Sequence, residues 1–230
     1  MHRTRIKICG ITRPEDAALA SRLGADAIGM VFHPASRRFV SMDQAHRILD
    51  AIEPFTTPVG LFVDATLETI IEISLSLNLN HIQLHGHESS DYVSMLEQSL
   101  DSPNIFKAIR VDPAQFARTL NHWREAIVKL NMKRLKALVL ETPSAAPGGT
   151  GLPNDWQTIA DHQRDGHTHG LPPLIAAGGL TPQTVAGVIE QLHPYAVDVS
   201  SGVEERFGQK SEQKLRAFFD AVRSTERQSD

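Results

Sequence analysis

Short runs of β-branched and aliphatic residues alternate along this chain with longer stretches in which apolar positions recur every three or four residues. The first kind of run reads as a strand, the second as a helix with one buried face. The spacing predicts strands at 6–9, 27–32, 57–63, 81–84, 105–109, 136–140, 174–177 and 196–199. It predicts helices at 14–23, 41–52, 67–77, 89–100, 113–129, 155–162, 181–192 and 210–223. Local signals support several boundaries. Gly24 stands where a helix C-terminus favours glycine. Ser41 and Thr181 stand as N-caps, with Pro182 at a first helical position. Residues 224–230 are polar and read as a frayed tail.

Eight strand-then-helix units follow one another in 230 residues. Strands this continuously apolar imply a parallel sheet covered on both faces. The expected fold is a single α/β domain over 1–230, a (β/α)8 TIM barrel with eight parallel strands. A doubly wound open sheet is the alternative. Its first turn should carry GxGxxG, whereas here that turn is Cys9-Gly10-Ile11-Thr12. The glycine-rich turns come late, after the last two strands, where barrels commonly hold phosphate.

Composition narrows the class. Lys and Arg total 23 against 27 Asp and Glu, a net charge of −4, which offers no electrostatic footprint for nucleic acid. No apolar run is long enough for a membrane span, so no membrane partner is expected. The one cysteine excludes an intrachain disulfide framework and favours a reducing compartment. Met1-His2-Arg3-Thr4-Arg5 leads straight into the first strand without a secretory pattern, so a cytoplasmic location is expected.

In a barrel, functional side chains sit at the C-terminal ends of strands. That rule selects Cys9, Phe32, Asp64, His85, Arg110, Glu141, Gly178 and Ser200. Most lone cysteines are small buried hydrophobes, but a thiol at a barrel mouth can become a thiolate base. Glu141 lies across the same mouth, so the two make a candidate base and acid. The acid needs a raised pKa and the base a lowered one to work together at neutral pH. Gly178-Gly179 and Ser200-Ser201-Gly202 are small enough for backbone N–H groups to approach a phosphate. Arg38, in the pair Arg37-Arg38, can hold a carboxylate bidentately. His85 can contact a ring. Asp198 falls inside the last strand, facing the interior where a carboxylate must be paired, and is a further substrate contact. His162, His167 and His169 fall in a polar loop that lacks a third metal ligand in regular structure, so no metal is expected.

Six motifs in order carry a resemblance. They are Lys7-Ile8-Cys9-Gly10-Ile11-Thr12, Gly60-Leu61-Phe62-Val63 and Ile82-Gln83-Leu84-His85-Gly86, then Gly148-Gly149-Thr150-Gly151 with Asp155-Trp156, Ala177-Gly178-Gly179-Leu180, and Asp198-Val199-Ser200-Ser201-Gly202-Val203-Glu204. Over residues 6–222 the chain resembles the phosphoribosylanthranilate isomerases. The resemblance implies an Amadori rearrangement in tryptophan biosynthesis, from N-(5-phosphoribosyl)anthranilate to 1-(2-carboxyphenylamino)-1-deoxyribulose 5-phosphate. It implies no cofactor and a small-molecule partner. A monomer is expected, with a dimer as the alternative. It makes Cys9 the general base and Arg38 the anthranilate contact, and it aligns His85 and both phosphate turns. Where the family has an aspartate as general acid, this chain has Glu141. Two other readings stay open: another phosphosugar isomerase or epimerase on the same barrel, and a phospholigand-binding barrel without catalysis.

Overall fold

The computed structural model describes residues 3–141 and 155–227. Eight strands form one sheet: β1 (Arg5–Ile8), β2 (Ala27–Val31), β3 (Thr57–Phe62), β4 (His81–Leu84), β5 (Asn104–Arg110), β6 (Leu135–Glu141), β7 (Leu174–Ala177) and β8 (Ala196–Val199). Each pairs in parallel with the next, and β1 pairs with β8, closing the barrel. Helices α1 (Pro14–Arg22), α2 (Met42–Leu49), α3 (Leu67–Ser76), α4 (Ser90–Ser99), α5 (Phe116–Lys129), α6 (Trp156–Arg164), α7 (Val185–Leu192) and α8 (Glu212–Arg227) follow the strands in turn. The (β/α)8 barrel read from the alternation is the fold. No helix among the described residues is long and apolar enough to cross a membrane.

Strand side chains alternate between two cores, as a two-residue period demands. Ile6, Ile8, Ile28, Met30, Ile82, Leu84, Leu138, Leu140, Val197 and Val199 point outward and pack with helical Phe116, Leu120, Ile189 and Phe218. The intervening residues fill the barrel. Ala108, Ala137, Val139, Ile175, Ala177 and Ala196 pack against Phe106, and Cys9 with Val31 and Leu61. Polar residues break this interior at Lys7, Gln83 and Asp198, all buried.

Several boundaries moved. Ser41 caps α2 as expected, with the reciprocal Gln44 contact of a capping box. Gly24 takes the positive φ that a helix end needs. Regular α7, however, begins at Val185 rather than after Thr181. Residues 182–184 form turns in which Thr181 and Thr184 bond to each other. The last helix starts at Glu212 and runs to Arg227, so residues 224–227 are helical rather than frayed. Thr225 is buried, its hydroxyl donating to the Val222 carbonyl. Ahead of that helix, β9 (Glu204–Arg206) and β10 (Gln209–Lys210) form a small hairpin that the sequence pattern did not reveal. Gly148-Gly149-Thr150-Gly151 lies outside the described residues.

One buried ion pair holds two mouth loops. Lys107 Nζ on β5 donates to Glu88 Oε2 at 2.8 Å and to the Gly86 carbonyl at 2.8 Å. Glu88 in turn accepts from the backbone N–H groups of Asp64 and Gly86. The loops after β3 and β4 are thereby tied to one carboxylate. Lys107→Met strands that carboxylate in the interior and is expected to cost about 3–5 kcal/mol. Thermal unfolding should show Tm lower by roughly 6–20 °C. The Lys107→Met/Glu88→Gln double variant, which leaves no buried charge, should recover much of the loss; equal losses in both would contradict this account.

Candidate active site

The strand ends converge on one mouth. Cys9 follows β1, with its backbone N–H donating to the Val199 carbonyl at 2.8 Å, so the last turn of β1 is locked to β8. The next residue must be glycine. Gly10 has φ +68°, and a Cβ there would collide with the Arg38 side chain and the Ser200 hydroxyl. Gly29 on β2 is constrained in the same way: its Cβ would lie 2.8 Å from Cys9 Sγ and 3.2 Å from Lys7 Nζ. The absence of a side chain at Gly29 thus makes room for both the thiol and the ammonium.

Lys7 and Asp198 are register partners across the β1–β8 seam. Their side chains meet at 2.7 Å, only 4% and 3% exposed. Asp198 Oδ2 takes the lysine, while Oδ1 is buried without a hydrogen-bond partner among the described residues. Burial opposes the charge on Lys7, but Asp198 and Cys9 outweigh it and hold the ammonium firmly protonated.

Glu141 ends β6 and opens to the mouth, with its side chain 18% exposed. Burial pushes its pKa up to about 8; Asp198 adds to the rise and Lys7 opposes it. His85, after β4, goes the other way. Burial, with Lys7, Lys107 and Arg110 nearby, drives it down to about 3. The Gln83 amide nitrogen stands 3.1 Å from His85 Nδ1 and donates to it, which leaves the ring proton on Nε2. His85 Nε2 is 3.6 Å from Glu141 Oε1. At neutral pH this is a neutral imidazole facing a largely protonated carboxyl, not a salt bridge.

Glu141 therefore has the raised pKa expected of it. Cys9 does not have the lowered one. Burial raises the Cys9 pKa, Lys7 pulls against it, and Asp198 adds to the rise. A lone thiol this enclosed loses more solvation than one ammonium returns.

Arg37 and Arg38 separate. Arg37 is exposed and lies over the Phe207 ring, 4.6 Å from its centroid. Arg38 is buried, and its Nε and Nη2 each donate to a Glu204 oxygen at 2.7 Å. A carboxylate ligand must therefore meet a different edge of this guanidinium. Lys210 Nζ shares Glu204 and also donates to the carbonyls of Cys9 and Ser200. The β9–β10 hairpin is thus bolted beneath Arg38.

The two small-residue turns meet. Gly178 and Gly179 both have positive φ, +90° and +68°. Gly202 packs so tightly that a Cβ would fall on the Leu180 carbonyl oxygen. Ser200 and Ser201 complete the second turn beside Gly10. The histidines are elsewhere. His162 lies in α6 rather than in a loop, while His167 and His169 follow that helix and precede β7 at the opposite end of the barrel; His162 Nδ1 bonds to His167 Nδ1 at 2.7 Å. Among the described residues no group of three or more His, Cys, Asp or Glu could hold a metal.

Sequence reasoning missed Lys7, Gly29, Glu204 and Lys210. Lys7 had a readable signal, being charged within an apolar strand and two residues from Cys9 on the same face. Glu204 closes the last of the six motifs, but its pairing with Arg38 and Lys210 had no signal, since the hairpin that presents them was not legible.

A thiol and a protonated carboxyl on the walls of one barrel mouth, with a buried charge pair beneath them, make the equipment of an enzyme that moves protons on a small molecule. The family model described as N-(5'phosphoribosyl)anthranilate (PRA) isomerase matches residues 6–221, and the chain belongs to that family. It is 42% identical over 229 residues to the N-(5'-phosphoribosyl)anthranilate isomerase of Pseudomonas savastanoi pv. phaseolicola, covering 98% of this chain and 100% of that one. It is 39% identical over 215 residues to the enzyme of Trichlorobacter lovleyi, covering 93% and 95%. The solved phosphoribosyl anthranilate isomerase of Thermotoga maritima matches with a TM-score of 0.82 at 33% identity, over 96% of this chain and 99% of that one. A solved isomerase in complex with reduced 1-(o-carboxyphenylamino)-1-deoxyribulose 5-phosphate matches with a TM-score of 0.79 at 32% identity, over the same shares.

The Glu141 pKa has a consequence for stability. Unfolded, the carboxyl ionises near 4.5; folded, it keeps its proton to about 8. Between those values the unfolded state binds fewer protons, so stability falls as pH rises, by up to about 1.4 kcal/mol per pH unit from this group. Glu141→Gln removes the titration. Its Tm relative to wild type should rise as pH goes from 4.5 to 8, measured by thermal denaturation across that range. A difference that does not change with pH would show that Glu141 titrates as an ordinary carboxylate.

Proposed function

We propose that Cys9 and Glu141 carry the proton transfers of this family's isomerisation in tryptophan biosynthesis, acting on N-(5-phosphoribosyl)anthranilate. The observation that supports it is placement. Cys9 follows β1 beside Lys7 and Glu141 ends β6, so both stand at the same end of the closed barrel, above the buried Lys7–Asp198 pair whose charges act on both. Glu141 gives its proton to the ring oxygen as the C1–O bond breaks, leaving an iminium between C1 and the anthranilate nitrogen. The Cys9 thiolate takes the C2 proton, and the freed electrons form the C1–C2 double bond and neutralise the nitrogen. The enolamine becomes the ketone when C1 gains a proton and the C2 hydroxyl loses one. If the thiol supplies the first and the Glu141 carboxylate accepts the second, both groups return to their starting states.

The remaining residues bind. The turns at Gly178-Gly179 and Ser200-Ser201-Gly202 receive the phosphate through backbone N–H groups. Arg38 meets the anthranilate carboxylate by an edge that Glu204 leaves open. Asp198 Oδ1, lacking a partner, is an acceptor for a substrate hydroxyl or the anilino N–H. His85, from the end of β4 two strands away, faces the Glu141 carboxyl and orients it. Holding both ends of the substrate keeps C1, C2 and the ring oxygen within reach of the two groups. Glutamate reaches roughly 1.5 Å further than the family's aspartate, one bond length more. The expected state is a monomer, with a dimer as the alternative. A cytoplasmic location belongs to the same reading, supported by the unpaired thiol.

Purified protein should convert N-(5-phosphoribosyl)anthranilate, and its gene should restore growth to a tryptophan auxotroph lacking this isomerase. Cys9→Ser and Glu141→Gln should each lower kcat by about 10²-fold or more, while binding of the reduced product is kept. Wild-type turnover in either variant would remove that residue from the chemistry.

The pH profile follows from the order of the two groups. Glu141 loses its proton at about 8, before the raised Cys9 does. The reactive form, thiolate with protonated carboxyl, is then a minor tautomer of the singly deprotonated site, and it peaks between the two values. kcat/KM should be bell-shaped, with the acidic limb near pH 8 set by Glu141 and the alkaline limb by Cys9. That reverses the assignment a low thiol pKa would give. An acidic limb below pH 6 would contradict it.

A further inference from the structure

Lys7 is a buried cation that the proton transfers above do not use. Closing a barrel does not require it. A buried ion pair is seldom more stabilising than the apolar residues that could replace it. Its placement is specific, however. Strand register puts it opposite Asp198, and its position two residues before Cys9 puts it on the thiol's face. The bare Cα of Gly29 brings ammonium and thiol to one spot. The pair also has a direction. At Cys9 the influence of Lys7 exceeds that of Asp198; at Glu141 the influence of Asp198 exceeds that of Lys7.

We propose that Lys7 and Asp198 form a fixed dipole that biases the protons of the reaction towards the reactive tautomer, with the ammonium end favouring the thiolate of Cys9 and the carboxylate end favouring the protonated form of Glu141. Lys7 is thus a positioning residue acting through Cys9. The proposal rests on the acid–base reading above and deepens it.

The other charges near these groups do not do this. Lys210 and Arg38 also approach Cys9, but both are bonded to Glu204, and Lys210 is spread over two carbonyls as well. Facing Glu141 are His85, which is neutral, and the neighbouring strand residue Arg110, whose Nη2 lies 3.3 Å from His87 Nε2. Among the described residues, only the Lys7–Asp198 pair bears on both groups with opposite ends.

The chain's one cysteine makes the test direct, because thiolate ultraviolet absorbance, with Cys9→Ser as the blank, reports Cys9 alone. Glu141 is followed by its carboxyl stretch in infrared difference spectra against Glu141→Gln. In Lys7→Met/Asp198→Asn, which leaves no unpaired buried charge, the Cys9 midpoint should rise and the Glu141 midpoint fall. Each should move by about one pH unit, a tenfold change in the populated form. Lys7→Arg should restore the Cys9 midpoint towards wild type. The isosteric Asp198→Asn should lower both midpoints, which gives a second reading if the double variant folds poorly. Midpoints that stay fixed in folded variants, or that move together in the double variant, overturn the proposal. Turnover by the wild-type chain is judged separately, so loss of the dipole model and loss of the isomerase reading are distinguishable.

Discussion

The pairing of β1 with β8 is the contact on which the site depends. In an open sheet these strands would be opposite edges, and Cys9 would be far from Ser200. Closure aligns Lys7 with Asp198 and locks the Cys9 backbone to Val199. It also brings the turn after β8 against Gly10, so that a single glycine separates Arg38 from Ser200. The seam therefore assembles three things at once: a charge pair, a thiol and a small-residue turn. Lys7 and Cys9 come from one end of the chain and Asp198 and the turn from a segment 191 residues further on, and no local feature could bring the two segments together.

Charge inside this protein is organised around carboxylates. Glu88 collects Lys107 and two backbone N–H groups, and it fixes the loops after β3 and β4. Glu204 collects Arg38 and Lys210 and fixes the hairpin against the mouth. Both are satisfied on several sides, as buried charges must be. Asp198 differs, with one oxygen paired and the other open among the described residues. An acceptor left open in the interior costs stability. It is worth that cost where an incoming molecule supplies the missing donor, which sets Asp198 apart from the two structural carboxylates.

The repeating architecture was legible because eight units repeat one hydrophobic code, and strand ends then pointed to Cys9, His85, Glu141 and Ser200. What stayed hidden depended on distant partners. Arg38 reads as half of a basic pair, yet its Glu204 partner is 166 residues away on a hairpin of three and two residues. So short a hairpin has too few positions to show a period. The start of α7 was misread because Thr181-Pro182 is a good helix opening by itself, while the mutual bonds of Thr181 and Thr184 hold those residues in turns instead. Lys7 was readable in principle. A lysine in an apolar strand needs an anion, and Asp198 in another strand needed a cation; matching the two orphans would have predicted the seam.

The same matching explains why burial alone could not make this site. Removing solvent raises the pKa of a thiol and of a carboxyl alike, because both lose a proton to become anions. In the roles proposed above, burial thus helps Glu141 as an acid and handicaps Cys9 as a base by one and the same act. Deeper enclosure would worsen the conflict, and opening the site would forfeit the acid. A single cation would also fail, since it lowers both groups together. An oriented pair of charges pushes the two in opposite senses and so works against that common rise. Lys7 on the thiol's strand and Asp198 across the seam supply the orientation, and the β1–β8 register keeps it from turning over.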